Sequence, residues 1–136
     1  AEDVGNADPQ ALTVAVSAAQ AAERVGMPEA RIILAQAALY VASAPKSNSV
    51  VRAIGEAMDA VEHEPSPPVP AHLQDSHYSG AQKLGHGNGY RYPHDYPGHY
   101  VKQQYLPDGM EDRKFYHVSD QGYEAQIRRY LDSLKE

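Results

Sequence analysis

Apolar residues recur with helical spacing through the first 64 positions, and the breaks between runs fall at residues that cap or end helices. A first helix is predicted from Asp8-Pro9, an acceptor side chain followed by proline at the first helical position, to a stop at Gly26. Leu12, Val14 and Val16 lie among many alanines, so apolar positions cover both the 12, 15, 16, 19 face and the 14, 18, 21, 25 face. A helix that is apolar nearly all round is predicted to be surrounded by protein. The second helix, from Pro28-Glu29 to Ser43, repeats that character through Ile32, Ile33, Leu34, Leu39, Tyr40 and Val41. Ser47-Asn48-Ser49 offers capping side chains to a third, amphipathic helix. Its apolar positions 50, 51, 54, 57, 58 and 61 form one stripe, with Arg52, Glu56, Asp59 and Glu62 outside.

The pattern changes at Glu64-Pro65-Ser66-Pro67-Pro68-Val69-Pro70, whose prolines remove backbone donors and push the residues before them out of the α region. This is an extended connector. Beyond it a short helix ends at Gln82 to Leu84, broken by Gly85-His86-Gly87-Asn88-Gly89. Tyr105-Leu106 and Phe115-Tyr116 flank Pro107-Asp108-Gly109, the pattern of a small β-hairpin with a long loop. Ser119 caps a last helix over 120–135, with Tyr123, Ile127, Tyr130, Leu131 and Leu134 spaced for a buried face and Glu124 and Arg128 as a supporting i, i+4 pair. The expected fold is mainly α, in one domain over 1–136. An Ala-rich three-helix part spans 1–64, the connector 65–70, and a Tyr/His-rich part 71–136.

Composition sharpens this division. Seventeen of twenty alanines lie in residues 1–64, whereas nine of ten tyrosines, six of seven histidines and seven of ten prolines follow. A chain of 136 residues is long enough to fold without staples, and the lack of cysteine excludes disulfides, a thiol nucleophile and thiolate metal sites. Net charge is -6, split as -5 before residue 65 and -1 after it, so binding to nucleic acid through a generally basic surface is excluded. Phosphate contacts are favoured in the second half. The longest apolar run, from Ile32 to Ala42, is interrupted by Gln36 and is too short to span a membrane. With Ala1 at its start and no charged-then-apolar leader, the chain reads as a soluble fragment of a longer protein.

The familiar catalytic patterns are absent: there is no G-x-x-x-x-G-K-[ST], no G-x-S-x-G and no H-E-x-x-H. The fragment is therefore read as non-catalytic, with no cofactor of its own. His86, His94, Asp95 and His99 have the chemistry of metal ligands, but their spacing matches no metal signature, and local or solvated roles are favoured. In the run from Tyr90 to Tyr100, tyrosines alternate with Arg91 and precede Lys102. Such a run can stack single-stranded bases, or it can supply the aromatic packing of a chain with no tryptophan and one phenylalanine. Packing or subunit contact is favoured because the overall charge is negative. Arg128 and Arg129 read as a solvated face. The apolar surface of the first two helices exceeds what so few helices can cover. It marks either a subunit interface or a surface wrapped by the second half of the chain.

Several strings together resemble one family: Glu2-Asp3-Val4-Gly5-Asn6-Ala7-Asp8-Pro9, Val25-Gly26-Met27-Pro28-Glu29-Ala30, Leu34-Ala35-Gln36-Ala37, Ala44-Pro45-Lys46-Ser47-Asn48-Ser49, Gly89-Tyr90-Arg91-Tyr92-Pro93-His94-Asp95, Gln103-Gln104-Tyr105-Leu106-Pro107 and Gly122-Tyr123-Glu124-Ala125. In this order they resemble the C-terminal region of the RarA/MgsA family of replication-associated AAA+ ATPases, relatives of the Werner helicase-interacting protein and, more distantly, of clamp-loader subunits. Val118 departs from the proline expected there. The resemblance implies a clamp-loader-like helical oligomerisation domain that assembles the parent protein into a homotetramer. It also implies an ATP and magnesium site before Ala1, a DNA-dependent ATPase acting at replication forks and in recombination and repair, and single-strand DNA-binding protein as a partner. The implied location is cytoplasmic, at the nucleoid or replication fork. The alternative is a module that binds single-stranded DNA or a partner protein through Tyr90 to Lys102, for which Lys46, Arg91, Tyr92, Tyr96 and Lys102 are the candidate contacts.

Overall fold

The strong start and stop signals act where the sequence places them. In a computed structural model of the chain, which describes residues 1–135, α1 runs Gln10–Val25, α2 Ala30–Ser43, α3 Ser49–His63 and α4 Glu124–Ser133. Asp8 Oδ1 accepts the Gln10 N–H at 3.0 Å at the head of α1. Gly26, at φ 76°, ends the helix and donates its N–H to the Ala22 carbonyl. The remaining ordered pieces are single 3-10 turns at Gly5–Ala7, Ala71–Leu73, Ala81–Leu84, Pro93–Asp95 and Pro97–His99. The turn at Ala81–Leu84 is the short helix expected before the glycine run, and Gly85 closes it at φ 73°.

The chain forms two compact units: the first is Ala1–Ala60 with Phe115 onward, the second Val61–Lys114. In the first, α1 and α2 pack on each other, and the apolar residues removed from water are Val4, Ala7, Ala11, Ala18, Ala30 and Ala60. Alanines let backbones approach closely but each buries little, about 0.8 kcal/mol per methyl-sized group. Small side chains also leave a shallow groove between the two helices, lined by Thr13, Val14, Ser17, Ala21, Ile33 and Gln36. The second unit is held largely by turns and by side chains that bond to backbone. Among the described residues its buried apolar side chains are those of Ala81 and Val101, and the His72 ring nitrogen meets the Gln104 carbonyl at 2.6 Å.

Three expectations are corrected. No strand occurs among the described residues, so the hairpin over 105–116 is replaced by turns. Met110 N–H bonds to the Pro107 carbonyl and Arg113 N–H to that of Met110, while the Gln104 amide takes the Leu106 carbonyl and Asp108. Proline lacks a ladder donor, and i+3 turns here use the groups a ladder would need. The last helix begins at Glu124, because Gly122 takes φ +53°, which a helical turn cannot contain. Its expected buried face is only partly realised. Ile127 and Leu134 are half-buried, but Tyr123, Tyr130 and Leu131 stay exposed.

Candidate interaction surfaces

Three of the family-like strings meet in the first unit, around one carboxylate. Ser47 N–H donates to the Asp3 carbonyl at 2.9 Å, and Tyr123 N–H to that of Ala7 at 2.7 Å. Gly122 lies so close that a Cβ would collide with the Ala7 carbonyl oxygen and the Pro45 ring. Glu124, fully buried, accepts a hydrogen bond from the Ser49 hydroxyl and the Ser119 N–H at 2.5 Å. Its carboxylate thus lies at the positive N-terminal end of α3 while also opening α4, two placements that favour negative charge. Desolvation pushes the Glu124 carboxyl up. The hydrogen bonds from Ser49, the Ser119 backbone and Ser47 outweigh it and hold the group below its ordinary value. The expected Glu124–Arg128 pair does not form, since Arg128 instead donates to the Val118 carbonyl at 2.7 Å. Sequence spacing carries no trace of the Ser49–Glu124 contact, whose partners are 75 positions apart.

Other polar side chains here tie the helices together. Asp8 uses its second oxygen to accept the Tyr40 hydroxyl at 2.7 Å, joining the head of α1 to α2. That bond is the main cause that raises the Tyr40 phenol above its usual range. Lys46, a candidate DNA contact, donates its ammonium to the Val41 and Ala44 carbonyls at 2.5 and 2.8 Å. It closes the end of α2.

The large apolar residues face the other way. On α2, Ile32 is 74% and Leu39 70% exposed, and no charged residue lies between Arg31 and Lys46. Leu12 and Val16 of α1 are exposed as well. The stripe of α3 reverses the expectation. Ser49, Ala53, Ala57 and Ala60 take the inner side, and Val50, Val51, Ile54, Met58 and Val61 stand in water, Ile54 at 59% and Val61 at 67%. Small residues go inward because the first unit packs at alanine distances, which large side chains cannot enter. Gly55, beside that stripe, has open space where a Cβ would stand.

In the second unit the tyrosine segment lies at the surface, with Tyr90, Tyr92, Tyr96 and Tyr100 all exposed. Tyr92, His94 and His99 form a chain of rings with centroids 5.1 and 4.6 Å apart. Gln103 clamps the Arg91 backbone from both sides, at 3.2 and 2.8 Å, and the exposed Lys102 follows within the same surface run. His86 is drawn away to the Tyr78 hydroxyl. Among the described residues no group of three or more His, Cys, Asp or Glu is placed to hold a metal ion, and no helix is long and apolar enough to cross a membrane.

The first unit defines a class: an all-helical unit whose buried apolar residues are, apart from Val4, alanines and many of whose larger apolar side chains lie on the surface. The chain belongs to the family described as MgsA AAA+ ATPase C terminal, whose sequence model matches residues 1–135. It is 48% identical over 134 residues to an AAA domain-containing protein of Mycobacterium tuberculosis, covering 98% of this chain and 30% of that protein. To replication-associated recombination protein A of Bacillus subtilis it is 46% identical over 134 residues, covering 98% and 32%. To ATPase WRNIP1 of Dictyostelium discoideum it is 38% identical over 116 residues, covering 85% and 13%. The chain thus spans about a third or less of the length of these relatives.

Proposed function

We propose that this chain is the homotetramerisation domain of a replication-associated AAA+ ATPase. It gathers copies of the protein through apolar helix faces and so fixes the spacing of their nucleotide-hydrolysing regions. The observation that carries this reading is the surface of α2, where Ile32, Leu34 and Leu39 are exposed on a stretch without a single charge. Covering each such side chain contributes about 1.5–3 kcal/mol, far more than any alanine of the core. In this reading ATP and magnesium are bound by the rest of the protein. Action at forks and in recombination and repair, in the cytoplasm at the nucleoid, belongs to the whole molecule, with DNA and single-strand DNA-binding protein as its partners. The names and lengths of the relatives, an AAA domain-containing protein and a replication-associated recombination protein each about three times as long as this chain, support the ATPase and recombination parts of that assignment. Light scattering over a concentration series tests it. A mass of four 14.9-kDa chains persisting on dilution is expected, and a single-chain mass throughout would overturn it.

The exposed tyrosines favour a second reading, in which Tyr92 and Tyr96 stack bases of single-stranded DNA and Arg91 and Lys102 meet its phosphates. Each stacked base is worth about 1–3 kcal/mol. Replacing Arg91 and Tyr92 together by alanine is expected to lower single-strand affinity at least tenfold with assembly intact, measured by fluorescence anisotropy. Unchanged affinity removes this reading.

A further inference from the structure

We infer that α3 is itself an assembly seam, where the exposed stripe of one copy lies antiparallel on the same stripe of a second copy, across a two-fold axis near residue 56. The inference rests on the self-assembly reading and deepens it. Val50, Val51, Ile54, Met58 and Val61 are all exposed on one side of this helix, while smaller residues occupy its inner side. The helix therefore offers more apolar bulk to an outside partner than to its own unit.

The order of residues along the stripe selects the partner. Reversed about residue 56, Val51 falls opposite Val61 and Ile54 opposite Met58, with Val50 level with Glu62 at the end of the stripe, so an antiparallel copy sets side chains of matched size against each other through the centre of the stripe. Charge points the same way. Arg52, paired with Glu56 of its own helix at 3.7 Å, lies before the axis, whereas Asp59 and Glu62 lie after it. Antiparallel packing brings opposite signs together and opposes the helix dipoles, while parallel packing stacks like on like. Near the axis, Gly55 has open space in place of a side chain, which lets a second backbone come close. A segment of another protein has no reason to match a pattern symmetric about one residue; a second copy matches it automatically. Tetramers of dihedral symmetry use more than one self-complementary contact, and the α1–α2 surface and the α3 stripe supply two.

The chain has no cysteine, so introduced single cysteines report the seam directly. Across the proposed axis positions 51 and 61 are level, whereas two copies of position 51 stand about 15 Å apart along the helix, at 1.5 Å per residue. A mixture of Val51→Cys and Val61→Cys chains is expected to form a disulfide-linked dimer at least tenfold faster than either variant alone. Faster self-linking of Val51→Cys means a parallel pair and overturns the inference. No linking in a chain that still assembles overturns the α3 seam and leaves the self-assembly reading standing. A single-chain mass at every concentration overturns both. As a second measurement, Ile54→Glu with Met58→Glu, both at exposed positions, is expected to halve the assembled mass with the helical circular dichroism retained. An unchanged mass overturns the seam.

Discussion

Glu124 shows how much one side chain carries in a unit with so small a core. Replacing it by alanine leaves the Ser49 hydroxyl and the Ser119 N–H without their acceptor, at a cost of about 1–3 kcal/mol. Glu124→Gln keeps the volume but loses the charge, and is expected to fall at the lower end of that range in urea unfolding. Because the folded-state carboxyl titrates below its ordinary value, its stabilisation is fully present above the unfolded value of about 4.3. It is lost as pH falls through the folded-state value. The glutamine variant is therefore expected to show a flatter acid limb in its stability profile, and an unchanged limb would remove Glu124 as its source. Little of this was legible beforehand. Ser47-Asn48-Ser49 reads as a capping run, which it is in part, since Ser47 Oγ accepts the Ser49 N–H at 3.2 Å. The buried carboxylate arrives from the far end of the chain, and no local pattern announces it.

At the scale of elements, the three N-terminal helices follow their capping and breaking residues, because those signals act through bonds within a turn. The Asp8 cap and Gly26 stop are of this kind. The hairpin failed for the complementary reason, since a strand exists only when a partner ladder is available, and the Pro107 turn satisfies its groups locally. Gly55 is an exception within a well-predicted helix. A mid-helix glycine costs about 0.8–1 kcal/mol relative to alanine, and nothing in the unit occupies its Cβ position. In the dissociated chain Gly55→Ala is expected to raise unfolding stability by nearly that amount, measured by urea denaturation. No gain would mean that the site is crowded.

For the whole molecule, the decisive property is which apolar residues remain in water. Ile32→Glu with Leu39→Glu, at positions 74% and 70% exposed, is expected to lower the light-scattering mass at least twofold with helix content unchanged. An unchanged mass would place the contact elsewhere. The amino-acid order by itself determined the helices of the first half, the proline-rich break, the absence of cysteine chemistry and the excess of apolar surface on the first two helices. These depend on local bonds, composition and periodicity. Periodicity also found the stripe of α3 but not the direction it faces. A helical repeat says that residues share a side, and only tertiary packing says which side is turned inward. Here alanine-sized spacing turned the small side inward and left Val50, Ile54, Met58 and Val61 outside. The meeting of Asp3, Ser47, Ser119 and Glu124 was likewise decided only by the fold, because contacts between distant segments depend on how helices pack and leave no period in the chain.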